Sequence, residues 1–152
     1  MRNLLAVLTV IVFSAGAAWS QSNDILDEIL AADEGTFGQG VYLASLASGA
    51  AATDSSITEV YRSFDWGSWN VRRKAMEDPV TLGEYSYLIM ENLGISGGIM
   101  YGLAPGPRYA ARELAYLDFF LGSNSPYRSV PGEEMLHIMG QALAYVEAGE
   151  EG

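Results

Sequence analysis

Twice along this chain a hydroxyl residue stands three places ahead of a glutamate, directly before apolar residues at helical spacing. The two are Ser56-Ile57-Thr58-Glu59 and Thr81-Leu82-Gly83-Glu84. In such a pair the hydroxyl accepts from the glutamate N–H, and the carboxylate accepts from the N–H of the hydroxyl residue. Each pair therefore marks where a helix begins. Ile57, Val60, Tyr61 and Phe64 continue the first as one face, ending near Phe64. Leu82, Tyr85, Leu88, Ile89 and Leu93 continue the second to about Asn92, and Gly94 stands where a C-terminal glycine cap belongs.

The remaining segments repeat this period. Ile25, Leu26, Ile29 and Leu30 share a face of a short helix over 23–32, capped by Ser22 or Asn23, with Asp24, Asp27 and Glu28 near its favourable N-terminus. Asp33 to Gly38 reads as its exit. Residues 39–50 form an alanine-rich helix that packs through Val41, Tyr42, Leu43, Leu46 and Ala47. Asp65 to Asn70 is a turn carrying Trp66 and Trp69. A linker over 94–107, dense in glycine and proline, leads to Pro107 at the first position of another helix. Ala110, Leu114, Leu117 and Leu121 are its expected stripe, widened by Tyr109 and Phe120. Met135, Ile138, Met139, Ala142, Leu143 and Val146 mark the last helix. No segment alternates as a strand does. The chain reads as all-α, about six short helices in helix-turn-helix repeats, with a single domain over 21–148, halves at 21–78 and 79–148, and a disordered tail at 149–152.

The first twenty residues stand apart. Arg2, the apolar run Leu4 to Phe13 and the small residues Ala18 and Ser20 have the order of a secretory signal peptide cut before Gln21. Export across the inner membrane to a periplasmic or envelope location is the expectation, with no membrane span after cleavage. Removal of this segment takes one basic residue and no acid, moving the formal charge from −11 to −12. A surface so acidic repels nucleic acid. The chain has no cysteine, which excludes disulfides and thiolate chemistry.

Chemistry-bearing residues are few. One histidine, His137, excludes metal sites of two or more histidines. The acids at 24, 27, 28, 33 and 34 lack the alternating ligands and closing glutamate of a calcium loop. No metal and no cofactor is expected. Arg108 and Arg112 lie one turn apart on one helix face, beside the glycine-rich linker. They suit either an anion pocket or a tie to the linker or to Glu84 and Glu91. Arginine in a first helical turn opposes the dipole, so a compensating acid or carbonyl is expected nearby. Trp66 and Trp69 suit sugar stacking or a plug at a helix junction. Tyr101, Arg108, Tyr109, Arg112, Trp66 and Trp69 are therefore the candidate binding residues, with no catalytic residue among them.

Two halves of the chain echo one another. Tyr42-Leu43 leads to Ser56 and its helix, Tyr116-Leu117 leads to Pro131 and its helix, and the Thr81 helix is a further copy of the Ser56 type. This pattern resembles the S-layer homology family, in which a loop precedes a Thr-Arg-Ala-Glu-Phe-like helix start that closes in Leu-Gly. Thr81-Leu82-Gly83-Glu84-Tyr85 with Leu93-Gly94 carries the resemblance, which spans about residues 38–146. It implies helical repeats and attachment to cell-wall glycan. Leu82 and Gly132 stand where the family's arginine belongs, and the acidic-aromatic repeat start is missing. The expected function is a non-enzymatic envelope interaction or scaffold module whose partner is an envelope protein. The first alternative is a glycan-binding module, and the second is a small hydrolase using carboxylates such as Glu84 and Glu113.

Overall fold

The structure, a computed structural model, describes residues 23–150 apart from 68, 70 and 71. The expected export segment over residues 1–20, the cap residue Ser22, residues 68 and 70 of the tryptophan turn and the last two residues lie outside the described residues. Among the described residues there are seven helices and no strand. They are α1 (23–30), α2 (Phe37–Ala47), α3 (Ile57–Ser63), α4 (Leu82–Leu93), α5 (Ile99–Leu103), α6 (Pro107–Tyr116) and α7 (Gly132–Glu150). The all-α reading holds.

Both expected capping boxes form. Ser56 and Glu59 exchange their two bonds at the start of α3, and Thr81 and Glu84 do so at α4. A third opens α2, where Thr36 Oγ1 accepts from the Gln39 N–H and the Gln39 amide oxygen accepts from the Thr36 N–H. The sequence reading placed Thr36 in a helix exit and began the next helix at 39. Glutamine instead of glutamate at the third position does the same work, so α2 starts at Phe37 and ends at Ala47 rather than residue 50. Gly49 follows at φ 73°, a left-handed turn that glycine adopts without steric cost.

The free amides of three helix starts meet in one place. Phe37 and Gly38 donate to the carbonyls of Asp78 and Met76, in the loop before α4 (2.7 and 2.9 Å). Leu82 and Gly83 donate to Arg128 and Pro126, in the loop before α7 (2.8 and 2.9 Å). Gly132 donates to Ala32, in the loop before α2 (2.9 Å). The three starts close a ring, each feeding the loop ahead of the next. Gly35 donates to Val130 and Val80 donates to Gly35 at its centre, at 2.7 and 2.9 Å. Isolated antiparallel bridges Thr36–Pro79 and Thr81–Ser129 belong to the same ring. The structural repeat is thus α2, α4 and α7. The sequence echo instead grouped the Thr81 helix with Ser56; it matched cap chemistry, while the ring selects helices whose first amides reach a neighbouring loop.

The third residue of each of these helices completes the pattern. It is Gln39, Glu84 or Glu134. Lys74 reaches Glu84 from the preceding loop at 2.9 Å, and Arg128 grips Glu134 with both Nη atoms at 2.7 and 2.8 Å. Glu134 is buried, and its Oε1 also accepts from the Leu121 N–H. α4 packs between α2, α6 and α7, and Leu82, Tyr85, Tyr87, Leu88, Ile89 and Met90 are all buried. Tyr85 donates its phenol proton to the Met135 carbonyl of α7 at 2.8 Å.

Three expectations about the second half fail. The linker is not helix-free, since Ile99–Leu103 forms α5. The Pro107 helix ends at Tyr116, short of the expected stripe, and Leu121 is 60% exposed. Asp118 adopts φ 61°, and the N–H groups of Asp118 and Phe119 return to Ala115 and Leu114 in a Schellman closure. Glycine usually takes that position, so an aspartate there hides the stop. At the other end, α7 runs through Gly149 and Glu150, which the sequence reading gave to a tail.

Two outcomes follow from the ring. A Cβ at Gly83 would stand 3.0 Å from the carbonyl oxygens of Pro107 and Pro126, whereas one at Gly140 on α7 meets nothing within 4 Å. In urea unfolding, Gly83→Ala lowers stability by about 1–3 kcal/mol. Gly140→Ala raises it by about 0.5–1 kcal/mol, through reduced backbone entropy in the unfolded chain.

The second outcome concerns acid. Burial alone pushes the Glu134 carboxyl up, but the Arg128 fork and the Leu121 and Gly122 N–H groups outweigh it and leave it below the ordinary 4.5. A depressed folded value means stability that is complete above the unfolded value and lost as pH falls through the folded one. Unfolding measured from pH 7 downward therefore shows a loss beginning below about 4.5, and Glu134→Gln flattens that part of the profile.

Candidate functional site

The N-terminal ends of α2 and α4 are tied into the ring, so their C-terminal ends lie away from it. There, with the end of α3, they surround a cavity of about 290 Å³. Its walls are the rings of Phe64 and Trp69, the carboxylates of Asp65 and Glu91, the Asn92 amide and the Ser45 and Ser63 hydroxyls, with Ala50 and Val60. Two carboxylates and the negative ends of the α2 and α4 dipoles face it. The site accepts hydrogen bonds more readily than it donates them.

Local chemistry holds these groups in place. Phe64 caps α3 in an extended conformation. Asp65 Oδ1 then accepts from the Gly67 N–H at 3.0 Å, turning the chain back. That turn brings the Trp69 ring to 4.8 Å from Tyr87 of α4 and edge-on to Phe64 at 6.2 Å. Asn92 donates to the Leu88 carbonyl at 2.8 Å, which fixes its amide. Glu91 accepts from the Tyr101 phenol of α5 at 2.5 Å. Burial, and after it the Glu91 charge, raises the Tyr87 phenol, while burial and the bond to Glu91 raise Tyr101. Both phenols stay protonated donors. The Trp69 indole N–H is buried and has no hydrogen-bond partner among the described residues. An unmet buried donor costs about 1–3 kcal/mol.

The six residues expected to bind fall into three environments. Trp66 is structural. Its indole N–H donates to the Tyr61 carbonyl at 3.2 Å, its ring stacks on Phe37 at 6.0 Å, and the Arg73 guanidinium lies 4.4 Å from its centre. Arg73 Nε also donates to the Tyr61 oxygen at 3.0 Å, and Tyr61 donates to the Lys74 carbonyl. Trp69 lines the cavity. Tyr101 is 7% exposed, because the single turn of α5 points it inward against Tyr87 and Glu91. It lies apart from the two arginines with which it was grouped as a candidate.

Arg108, Tyr109 and Arg112 do come together. They line an open groove of about 400 Å³ with Ala115, Tyr116, Asn124 and Pro126. Arg112 donates through Nε and Nη2 to the Tyr116 oxygen at 3.3 and 3.2 Å. The expected tie to Glu84 or Glu91 is absent, since Glu84 serves Lys74 and its own cap while Glu91 serves Tyr101. Glu113 faces Gly98 across the α5 start, a different setting from that of Glu84.

Other reactive groups stay apart from the cavity. Gly94-Ile95-Ser96-Gly97-Gly98 has the Gly-x-Ser-x-Gly spacing of a nucleophile elbow. It joins one helix to another, whereas the elbow needs a strand running into a helix. The groove beside Ser96 is walled by Leu93, Ile95, Tyr145 and Val146, with neither histidine nor acid. Among the described residues no three His, Cys, Asp or Glu side chains gather as a metal site, and no helix is long and apolar enough to cross a membrane.

Phe64, Asp65, Glu91, Asn92 and Ser45 were not singled out by sequence. Their one available signal was the placement of Glu91-Asn92 just off the stripe at the end of α4, which an ordinary solvated helix end shares. No protein-family profile, curated protein or solved structure matches this chain.

Proposed function

We propose that the chain is a non-enzymatic binding module of the cell envelope, exported by its N-terminal segment, and that its ligand is a saccharide held in the Trp69 cavity. The observation that carries this reading is the mixture of groups in one small cavity. A sugar ring has an apolar C–H face and a rim of hydroxyls. Trp69 and Phe64 offer flat apolar surface, while Asp65, Glu91 and Asn92 offer the acceptors and amide groups that hydroxyls need. The Trp69 indole lies beside these groups, and its buried N–H has no acceptor among the described residues. The resemblance of Thr81 to Gly94 to S-layer homology repeats makes a cell-wall glycan the first saccharide to try.

Co-sedimentation of the purified chain with cell wall at low salt tests the proposal. Wild type pellets with the wall, and its emission changes on titration with soluble wall fragments, because Trp66 and Trp69 are the only tryptophans after residue 20. Trp69→Phe keeps an aromatic wall but removes the indole, and Glu91→Gln removes an acceptor. Each weakens binding about 10-fold, the equivalent of one hydrogen bond to a charged or well-placed group. Failure of wild type to pellet removes the saccharide reading. Appearance of new reducing ends in the wall replaces a binding module with a hydrolase.

A further inference from the structure

We propose that the α6 groove is a second binding site, for an oxyanion group such as a carboxylate or a phosphate, held by Arg108 and Arg112. Both side chains are exposed on one face, one turn apart, and both line the groove. The groove contains no acidic residue. The other basic stretch of the chain is treated differently. Its groove, with Arg72, Arg73 and Lys74, also contains Asp78 and Glu84; Lys74 is ion-paired and Arg73 is stacked on aromatic rings. Among the described residues the ion pairs are Lys74–Glu84 and Arg128–Glu134, so neither α6 arginine is neutralised. The Arg108 side chain makes no hydrogen bond or ion pair with any described residue, in a chain whose acids outnumber its bases by 19 to 8.

Stability does not explain this placement. Arg108 is the second residue of α6, at the positive end of the helix dipole, where a cation is unfavourable. Neither an acid nor a carbonyl among the described residues bonds to the Arg108 guanidinium. An incoming anion would meet both guanidinium groups and the helix start at once. Gly106 caps that start without a side chain, and the N–H groups of Arg108 and Tyr109 have no acceptor within the helix, whose first internal bond is Ala110 N–H to the Gly106 carbonyl. A Cβ at Gly106 would meet nothing within 4 Å, so the approach is open. The Tyr116 hydroxyl holds Arg112 by Nε and Nη2, and the guanidinium lies 5.8 Å from the tyrosine ring centre. One arginine is therefore oriented in advance, and such a fork suits a planar carboxylate or a phosphate face. Tyr109 and Asn124 add polar groups along the same wall.

Titration of the isotope-labelled chain by amide NMR tests the proposal, with sodium phosphate, polygalacturonate as a polymer-borne carboxylate, and chloride at matched ionic strength. Saturable shifts at residues 108–112 and at Asn124 are expected with an oxyanion and not with chloride. Arg108→Gln with Arg112→Gln weakens that response about 10- to 100-fold, the loss of two charge-assisted contacts. The circular dichroism of the double variant stays unchanged, because both residues are exposed. The Lys double variant keeps charge without the fork and binds between the two. Response to phosphate alone assigns the site to a small phosphate group, and response to the polymer assigns it to an acidic polysaccharide or protein. Equal shifts with chloride, or an unchanged response in the folded Gln double variant, overturn the proposal.

Discussion

The fold rests on a ring of backbone hydrogen bonds that joins three helix starts. The first amides of a helix have no partner inside the helix and must find one elsewhere. In α2, α4 and α7 they find it in the loop ahead of the next member, by way of Phe37, Leu82 and Gly132. The bonds link residues far apart in sequence, so none of the three starts is complete without the others. Glycine is needed where this happens. A Cβ on Gly132 would fall 1.6 Å from the Ile29 carbonyl oxygen, and one on Gly38 or Gly83 would press on a neighbouring carbonyl. The buried Glu134–Arg128 pair secures the loop before α7 to the same hub.

The ring also arranges charge. With the N-terminal ends of α2 and α4 tied together, their C-terminal ends open outward beside α3 and leave an acceptor-rich cavity under Trp69. α6 lies outside the ring and keeps a free N-terminal end, beside which Arg108 and Arg112 stand. The chain thus carries an acceptor-rich pocket at the carbonyl ends of some helices and a donor-rich groove at the amide end of another. These are chemically opposite sites on one small domain.

Much of the helix pattern was legible because its causes are local. The Ser56 and Thr81 boxes, the Gly94 cap and the Pro107 start each depend on residues within one or two turns. The misses had unusual substitutes: Gln39 for glutamate in the Thr36 box, and Asp118 for glycine in the closure of α6. The placement of the candidate residues was legible by half. Arg108, Tyr109 and Arg112 share a groove because helical spacing places them there. Tyr101 was misplaced because five residues of α5, inside a glycine-rich linker, turned it inward. Trp66 and Trp69 looked alike in sequence, three residues apart, yet one is locked to Tyr61 and Arg73 while the other lines a cavity.

By itself the sequence determined the helical class, the starts of α3, α4 and α6 and the face of α6 that carries the arginines, since each follows from spacing and capping within a short span. The tertiary structure decided which helices form the repeat, which tryptophan lines the cavity, and which acids share that cavity with it. Those outcomes depend on contacts between residues tens of positions apart, such as Leu82 with Arg128 or Gly132 with Ala32. A ring of backbone bonds has almost no side-chain signature beyond the glycines that make room for it.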